Sequence, residues 1–99
     1  MARFDVYQPP AGPGYIIDVQ ADTLDVIGSR VIVPLLPVDI AGPAMTRLNP
    51  VFDIGEAPHV LQPQLIGAVR ASALKSPVAN LGAQSERITA ALDMLFFGF

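Results

Sequence analysis

The stretch DVQADTLDVIGSRVIVPL, residues 18–35, decides how the chain is read. Its first three residues close a run, YIIDVQ (residues 15–20), rich in β-branched and aromatic side chains and therefore read as a strand. Asp22 to Gly28 brings short polar residues and a glycine, the chemistry of a turn. RVIVPL (residues 30–35) then resumes an extended segment with apolar residues at both alternating sets of positions. Both of its faces should be covered, as in a central strand or one at a subunit interface. Pro34 has no amide donor and predicts a bulge or an edge position near the end of that strand.

Outward from this stretch the chain reads as more strands and turns. RFDVY (residues 3–7) alternates and predicts a first strand. QPPAGPG (residues 8–14) holds three prolines and two glycines, which no sheet ladder sustains, so it is a loop. Residues 36–50 mix their signals and are read as a loop with a short turn. PVFDIG followed by EAPHVLQ predicts a hairpin turning near Gly55 and Glu56, and IGAVRASA (residues 66–73) predicts a further strand.

The period changes only at the end. SERITAALDMLFF (residues 85–97) predicts a helix, with Ser85 as N-cap and Glu86 in the first turn. At roughly 100° per residue, Ile88, Ala91, Leu92, Leu95 and Phe96 form one stripe, expected to be the core face, which Phe99 would join if the helix ran that far. Phe97 projects to the other side, with Glu86, Ala90 and Asp93. Gly98 frees the backbone to leave the helix and redirect Phe99.

Composition narrows the functional classes. The chain has 99 residues, enough for one domain (residues 1–99) with a modest core. Apolar residues make up 52% and charged residues 15%, against a usual charged share of about 25%. A small domain cannot bury that excess alone, so self-association or an apolar partner site is expected. Nine acidic residues against six scattered cations give a net charge of −3, which disfavours direct nucleic-acid binding and suits a cationic protein partner. Cysteine is absent, which removes disulfides, zinc–thiolate sites and thiol nucleophiles. MARFDVY lacks the apolar run of a signal peptide, and the longest apolar run is too short to span a membrane, so a cytoplasmic protein is expected.

Chemistry-bearing motifs are weak. His59 is the only histidine, and in the strand-like APHVLQ it reads as packing or surface rather than catalysis. Asp18, Asp22 and Asp25 offer a conceivable cation cluster, but aspartates at a strand end and turn more often serve local hydrogen bonding. No phosphate loop, dinucleotide fingerprint or nucleophile elbow is present, so no cofactor, no metal and no enzyme activity are expected.

The order RFDVY, DVQADTLD, RVIVPL, NPVFDIG and the terminal DMLFFGF resembles the CcdB family over nearly the whole chain. The resemblance implies a mostly β fold with a C-terminal α-helix: a small, bent antiparallel SH3-like barrel with a minor extra sheet, assembled as a two-fold homodimer. It implies the toxin of a type II toxin–antitoxin system, acting without catalysis. Such a toxin binds the dimerisation region of the DNA gyrase A subunit, traps the cleaved-DNA complex, and is neutralised by a CcdA-like antitoxin. The gyrase-binding positions implied are Thr23 and Leu24 in the turn and Asp93, Phe96, Phe97, Gly98 and Phe99 at the helix end. Antitoxin contacts are not assigned. Phe97 stands where well-known members carry a tryptophan that stacks on arginines of the two gyrase subunits, Phe99 where they carry isoleucine, and Thr23 where an apolar residue is common. The alternatives are a dimer that binds antitoxin and co-represses its operon with weak or lost gyrase poisoning, and a ribonuclease toxin on the same fold.

Overall fold

The computed structural model describes residues 2–99. Its strands are β1 (Asp5–Tyr7), β2 (Tyr15–Asp18), β3 (Ser29–Pro37), β4 (Val51–Ile54), β5 (Ala57–Leu61), β6 (Gly67–Arg70) and β7 (Ala79–Asn80). Two helices, α1 (Val38–Ala41) and α2 (Ser85–Phe97), complete the fold. Every strand pairing is antiparallel, in the order β4-β5-β3-β2-β1-β7 with β6 also on β3, and the sheet bends into a nearly closed barrel. The expected minor sheet is thus continuous with the barrel rather than detached from it.

The long strand β3 organises this arrangement. One edge lies along β2, with Val33 opposite Ile17 and Leu35 opposite Tyr15. Its other edge changes partner midway: Ser29 to Ile32 pair with β6, and Leu35 to Pro37 with β5. Pro34 falls at the changeover, where its carbonyl accepts the Gln62 amide at 2.9 Å. The proline nitrogen faces the same side as that carbonyl, toward Gln62, whose own carbonyl already accepts the Leu65 amide at 2.9 Å. A central strand therefore tolerates it without losing a ladder bond.

Alternation on β1–β3 supplies two cores, as the doubly apolar RVIVPL predicts for β3. Val6, Ile17, Val33 and Leu35 face a main core with Phe4, Val19, Phe52, Ile54, Leu61, Leu81, Ile88 and Ala91. Tyr7, Ile16 and Ile32 face the other way and are covered by Leu74. The β4–β5 hairpin turns through Gly55 (φ 60°) and Glu56 (φ 68°), the two left-handed residues that match a two-residue turn to strand twist.

Several boundaries differ from the sequence reading. Strand β1 is shorter than RFDVY because Phe4 adopts φ 71°, which turns its ring into the core. IGAVRASA leaves the sheet after Arg70 and becomes a 3₁₀ turn, Ala71–Ala73. The two-residue β7 carries no period of its own to be read. Ser85 is not the N-cap: a 3₁₀ turn, Gly82–Gln84, runs directly into α2, so Ser85 is already helical and Gln84 precedes it without a side-chain cap.

The largest correction concerns the helix stripe. Ile88 and Ala91 are buried and Leu92 packs against the core, but Phe96 is 62% exposed. Periodicity places Phe96 on the right side of the helix, yet burial on that side fades along α2, from Ile88 and Ala91 to the half-buried Leu92. By the last turn that side has left the core, with Leu95 half-buried and Phe96 mostly in solvent.

Candidate partner-binding site

The end of α2 is built to hold aromatic rings in the open. Gly98 takes a left-handed conformation (φ 81°, ψ 11°) and returns its amide to the Met94 carbonyl at 3.0 Å, closing the helix. The chain then turns so that the Phe99 ring lies 6.4 Å from that of Phe97, tilted by 47°. Phe97 and Phe99 are 67% and 75% exposed. Phe99 leaves the helical stripe and joins Phe97, as Gly98 permits. With Phe96 beside them and Asp93 exposed one turn earlier, the last turn presents three phenylalanines with a carboxylate at their edge. Covering one phenylalanine is worth roughly 1.5–3 kcal/mol, so this patch is a strong anchor for whatever covers it.

The Asp22–Leu24 turn is the second predicted element, and it is held far more rigidly than a surface turn requires. It forms a 3₁₀ turn in which Leu24 and Asp25 donate to the carbonyls of Ala21 and Asp22 at 3.0 and 3.1 Å. The Gln20 amide nitrogen donates to the Leu24 carbonyl at 3.1 Å, while its side-chain oxygen accepts the Val31 amide at 3.1 Å. Asp22 Oδ1 accepts the Arg3 amide at 2.8 Å, tying the turn to the N-terminal segment. Leu24 is left exposed on top, with Val26 and Ile27 after it.

Beneath the turn lies a fully buried guanidinium. Arg30 Nε donates to Asp18 Oδ2 at 2.8 Å, and Nη2 lies 2.7 Å from the same oxygen, close enough to attract but not aligned as a hydrogen bond. Its Nη1 reaches out to Asp25 Oδ1 at 3.1 Å. Asp18 Oδ1 in turn accepts the Gln20 amide at 3.0 Å. The three aspartates singled out as a cation cluster thus serve the Arg30 side chain and the Arg3 backbone. The sequence reading of local hydrogen bonding was right in kind but missed the partner, twelve residues on in β3. The signal lay in RVIVPL itself, where an arginine opens an otherwise apolar strand.

The helix end and the turn are separate surfaces of one chain, and α2 packs mainly against the Pro63–Leu65 and Gly82–Gln84 turns. His59 belongs to neither. It is buried, its Nδ1–H donates to the Ala57 carbonyl at 2.8 Å, and its ring meets Tyr15 edge-on at 5.0 Å. Among the described residues no helix is long and apolar enough to cross a membrane.

The model of the CcdB protein family matches residues 3–98. The chain belongs to the CcdB family. Membership supports the toxin of a toxin–antitoxin system. Among solved structures, the chain is similar to an endoribonuclease in complex with its cognate antitoxin from mycobacterial species. The two share 14% identity with a TM-score of 0.78, over 97% of this chain and 94% of the other. At that identity the likeness shows the fold alone.

Proposed function

We propose that this CcdB family member is a toxin that poisons DNA gyrase by docking the Phe96, Phe97, Gly98 and Phe99 ending on the A subunit, with Asp93, Thr23 and Leu24 completing the contact. The observation that carries the reading is the exposed aromatic tip, which periodicity alone assigns in part to the core. Rings fixed on a capped helix lose little conformational freedom on binding, and an exposed phenylalanine face attracts a guanidinium. The toxin works by selecting one conformer of a moving enzyme, so it needs no catalytic group. A two-fold homodimer would present the tip twice and would cover part of the remaining apolar surface, which includes Val38, Ile40, Met45 and Val78. A CcdA-like antitoxin is the neutralising partner, and the cytoplasm is where gyrase and antitoxin are met.

Phe97 in place of tryptophan gives one specific reason for a second reading, an antitoxin-binding co-repressor with weakened gyrase poisoning. Phenylalanine keeps the ring face but lacks the indole N–H, at a cost of about 0.5–1 kcal/mol for each contact. The experiment is expression in bacteria carrying wild-type or CcdB-resistant gyrase, paired with binding of the purified protein to a gyrase A-subunit fragment. Killing restricted to the wild-type strain supports poisoning. Equal survival in both strains removes it, and survival with intact antitoxin binding selects the co-repressor. RNA cleavage by nuclease-free protein would overturn the non-enzymatic reading.

A further inference from the structure

An open cleft of about 450 Å³ lies between the segment leading into β4 and the first half of α2. It is lined by Thr46, Arg47, Asn49, Pro50, Val51, Arg87 and Ala90. Two of the six cations of the chain meet here and no carboxylate does, although the chain carries nine acidic residues. The cleft therefore has the opposite sign to the molecule as a whole.

Arg87 is fixed in position. Its guanidinium stacks over the Phe52 ring at 4.4 Å, donates to the Val51 carbonyl at 2.8 Å and bonds the Gln84 side chain. A guanidinium has five N–H donors, so these two bonds leave it able to take a bidentate acceptor. Arg47 is exposed and makes no ion pair among the described residues. The floor is equally ordered: Asn49 is buried, donates to the Leu61 carbonyl at 2.9 Å, and accepts the Met45 amide at 3.0 Å. Pro50, Val51 and Ala90 supply apolar walls.

We infer that this cleft docks an acidic segment of a partner polypeptide, with a carboxylate on Arg47 and Arg87 and its aliphatic neighbour against Pro50, Val51 and Ala90. The chemistry favours a peptide over a nucleic acid. The lining offers no exposed aromatic ring on which a base would stack, and its apolar walls suit an aliphatic side chain better than a sugar–phosphate backbone. Glutamate beside a leucine matches both the charge and the walls. The inference stands apart from gyrase poisoning, since neither arginine belongs to the aromatic ending.

The test uses the full chain, isotope-labelled, with backbone amide shifts followed during titration. The probes are a synthetic peptide of alternating glutamate and leucine, its glutamine counterpart, and a uridine oligonucleotide. The glutamate peptide should shift the amides of Thr46 to Val51 and Arg87 to Ala90, and weaken with added salt. Arg47→Glu, at an exposed side chain without partners, should leave the fold intact and weaken binding about tenfold or more, a difference of about 1.4 kcal/mol. Equal binding of the glutamine peptide, no shift at the cleft, or tighter binding of the oligonucleotide to the same amides would each overturn the assignment. The gyrase fragment serves as a separate readout: its binding is expected to survive Arg47→Glu, so failure of either reading is seen without the other.

Discussion

Replacing Arg30 by methionine should be among the most damaging single changes in the molecule. The side chain is fully buried, and its main partner, Asp18, is equally buried. Methionine is similar in length but leaves the Asp18 carboxylate in the interior with only the Gln20 amide as a donor. Removing one member of a buried pair costs about 3–5 kcal/mol, against a total stability of about 5–15 kcal/mol for a typical domain. For a domain of this size the loss corresponds to a fall in Tm of roughly 15–30 °C. The outer arm of the same network is different. Asp25 is 58% exposed, so Asp25→Asn loses a screened contact worth about 0.2–1 kcal/mol. Urea titration at fixed protein concentration, with both variants and the double change Asp18→Leu with Arg30→Met, separates the terms. The double change should recover much of the loss, because it leaves no unpaired charge behind. A cost below about 1 kcal/mol for Arg30→Met, or an equal cost for Asp25→Asn, would refute the view that burial rather than charge count governs this site.

Gly14→Ala should destabilise the fold by about 2–4 kcal/mol. Gly14 sits at φ 83°, and an added Cβ would collide with the Leu35 carbonyl oxygen; thermal unfolding checks this, with Gly12→Ala (φ 86°, open space) as the milder control. Tyr7 should ionise above its ordinary pKa of 10.0, because burial and then the charges of Asp5 and Asp18 disfavour the phenolate, with Arg30 opposing. The unfolded chain then loses its proton first, so stability falls as pH rises through 10.0 and continues falling until the native phenol ionises. Tyr7→Phe should flatten that decline in pH-dependent unfolding, and an unchanged slope would count against the assignment. At the helix end, Phe97→Ala should weaken binding to a gyrase A-subunit fragment by about 2 kcal/mol or more, and Phe97→Trp should strengthen it. Calorimetry with both variants checks the pair, and wild-type affinity in Phe97→Ala would remove Phe97 from the contact.

What could be read from the chain depended on whether the cause was local. The β4–β5 hairpin was legible because Gly55 and Glu56 lie between two alternating runs. The central position of β3 was legible because RVIVPL is apolar at both sets of positions. The Gly98 cap was legible because glycine is the residue that takes φ near 80° without strain. Phe96 was misread because periodicity reports the side of a helix, not how far the core on that side extends. Arg30 was missed for a related reason. Its partners, Asp18 and Asp25, lie in the preceding strand and turn, and only the β2–β3 register brings the guanidinium beneath them. The Arg47–Arg87 cleft joins residues forty positions apart and has no local signal.

The two predicted binding elements are stabilised in opposite ways, and this bears on what each can do. The Asp22–Leu24 turn is fixed from below by Arg30, from one side by Arg3 and across its top by Gln20, so Leu24 has one position to offer. The helix end is fixed only by its own hydrogen bonds and the Gly98 cap, and its rings have open space on every side that the chain itself leaves uncovered. With Leu24 held on one surface and the rings carried by a capped helix on another, a partner that engages both must match the spacing between them. Loosening the turn by Asp22→Ala, which removes the carboxylate that accepts the Arg3 amide at 2.8 Å, should therefore weaken a partner that needs both surfaces at once. A partner that grips the aromatic tip alone should bind that variant as well as it binds the parent chain.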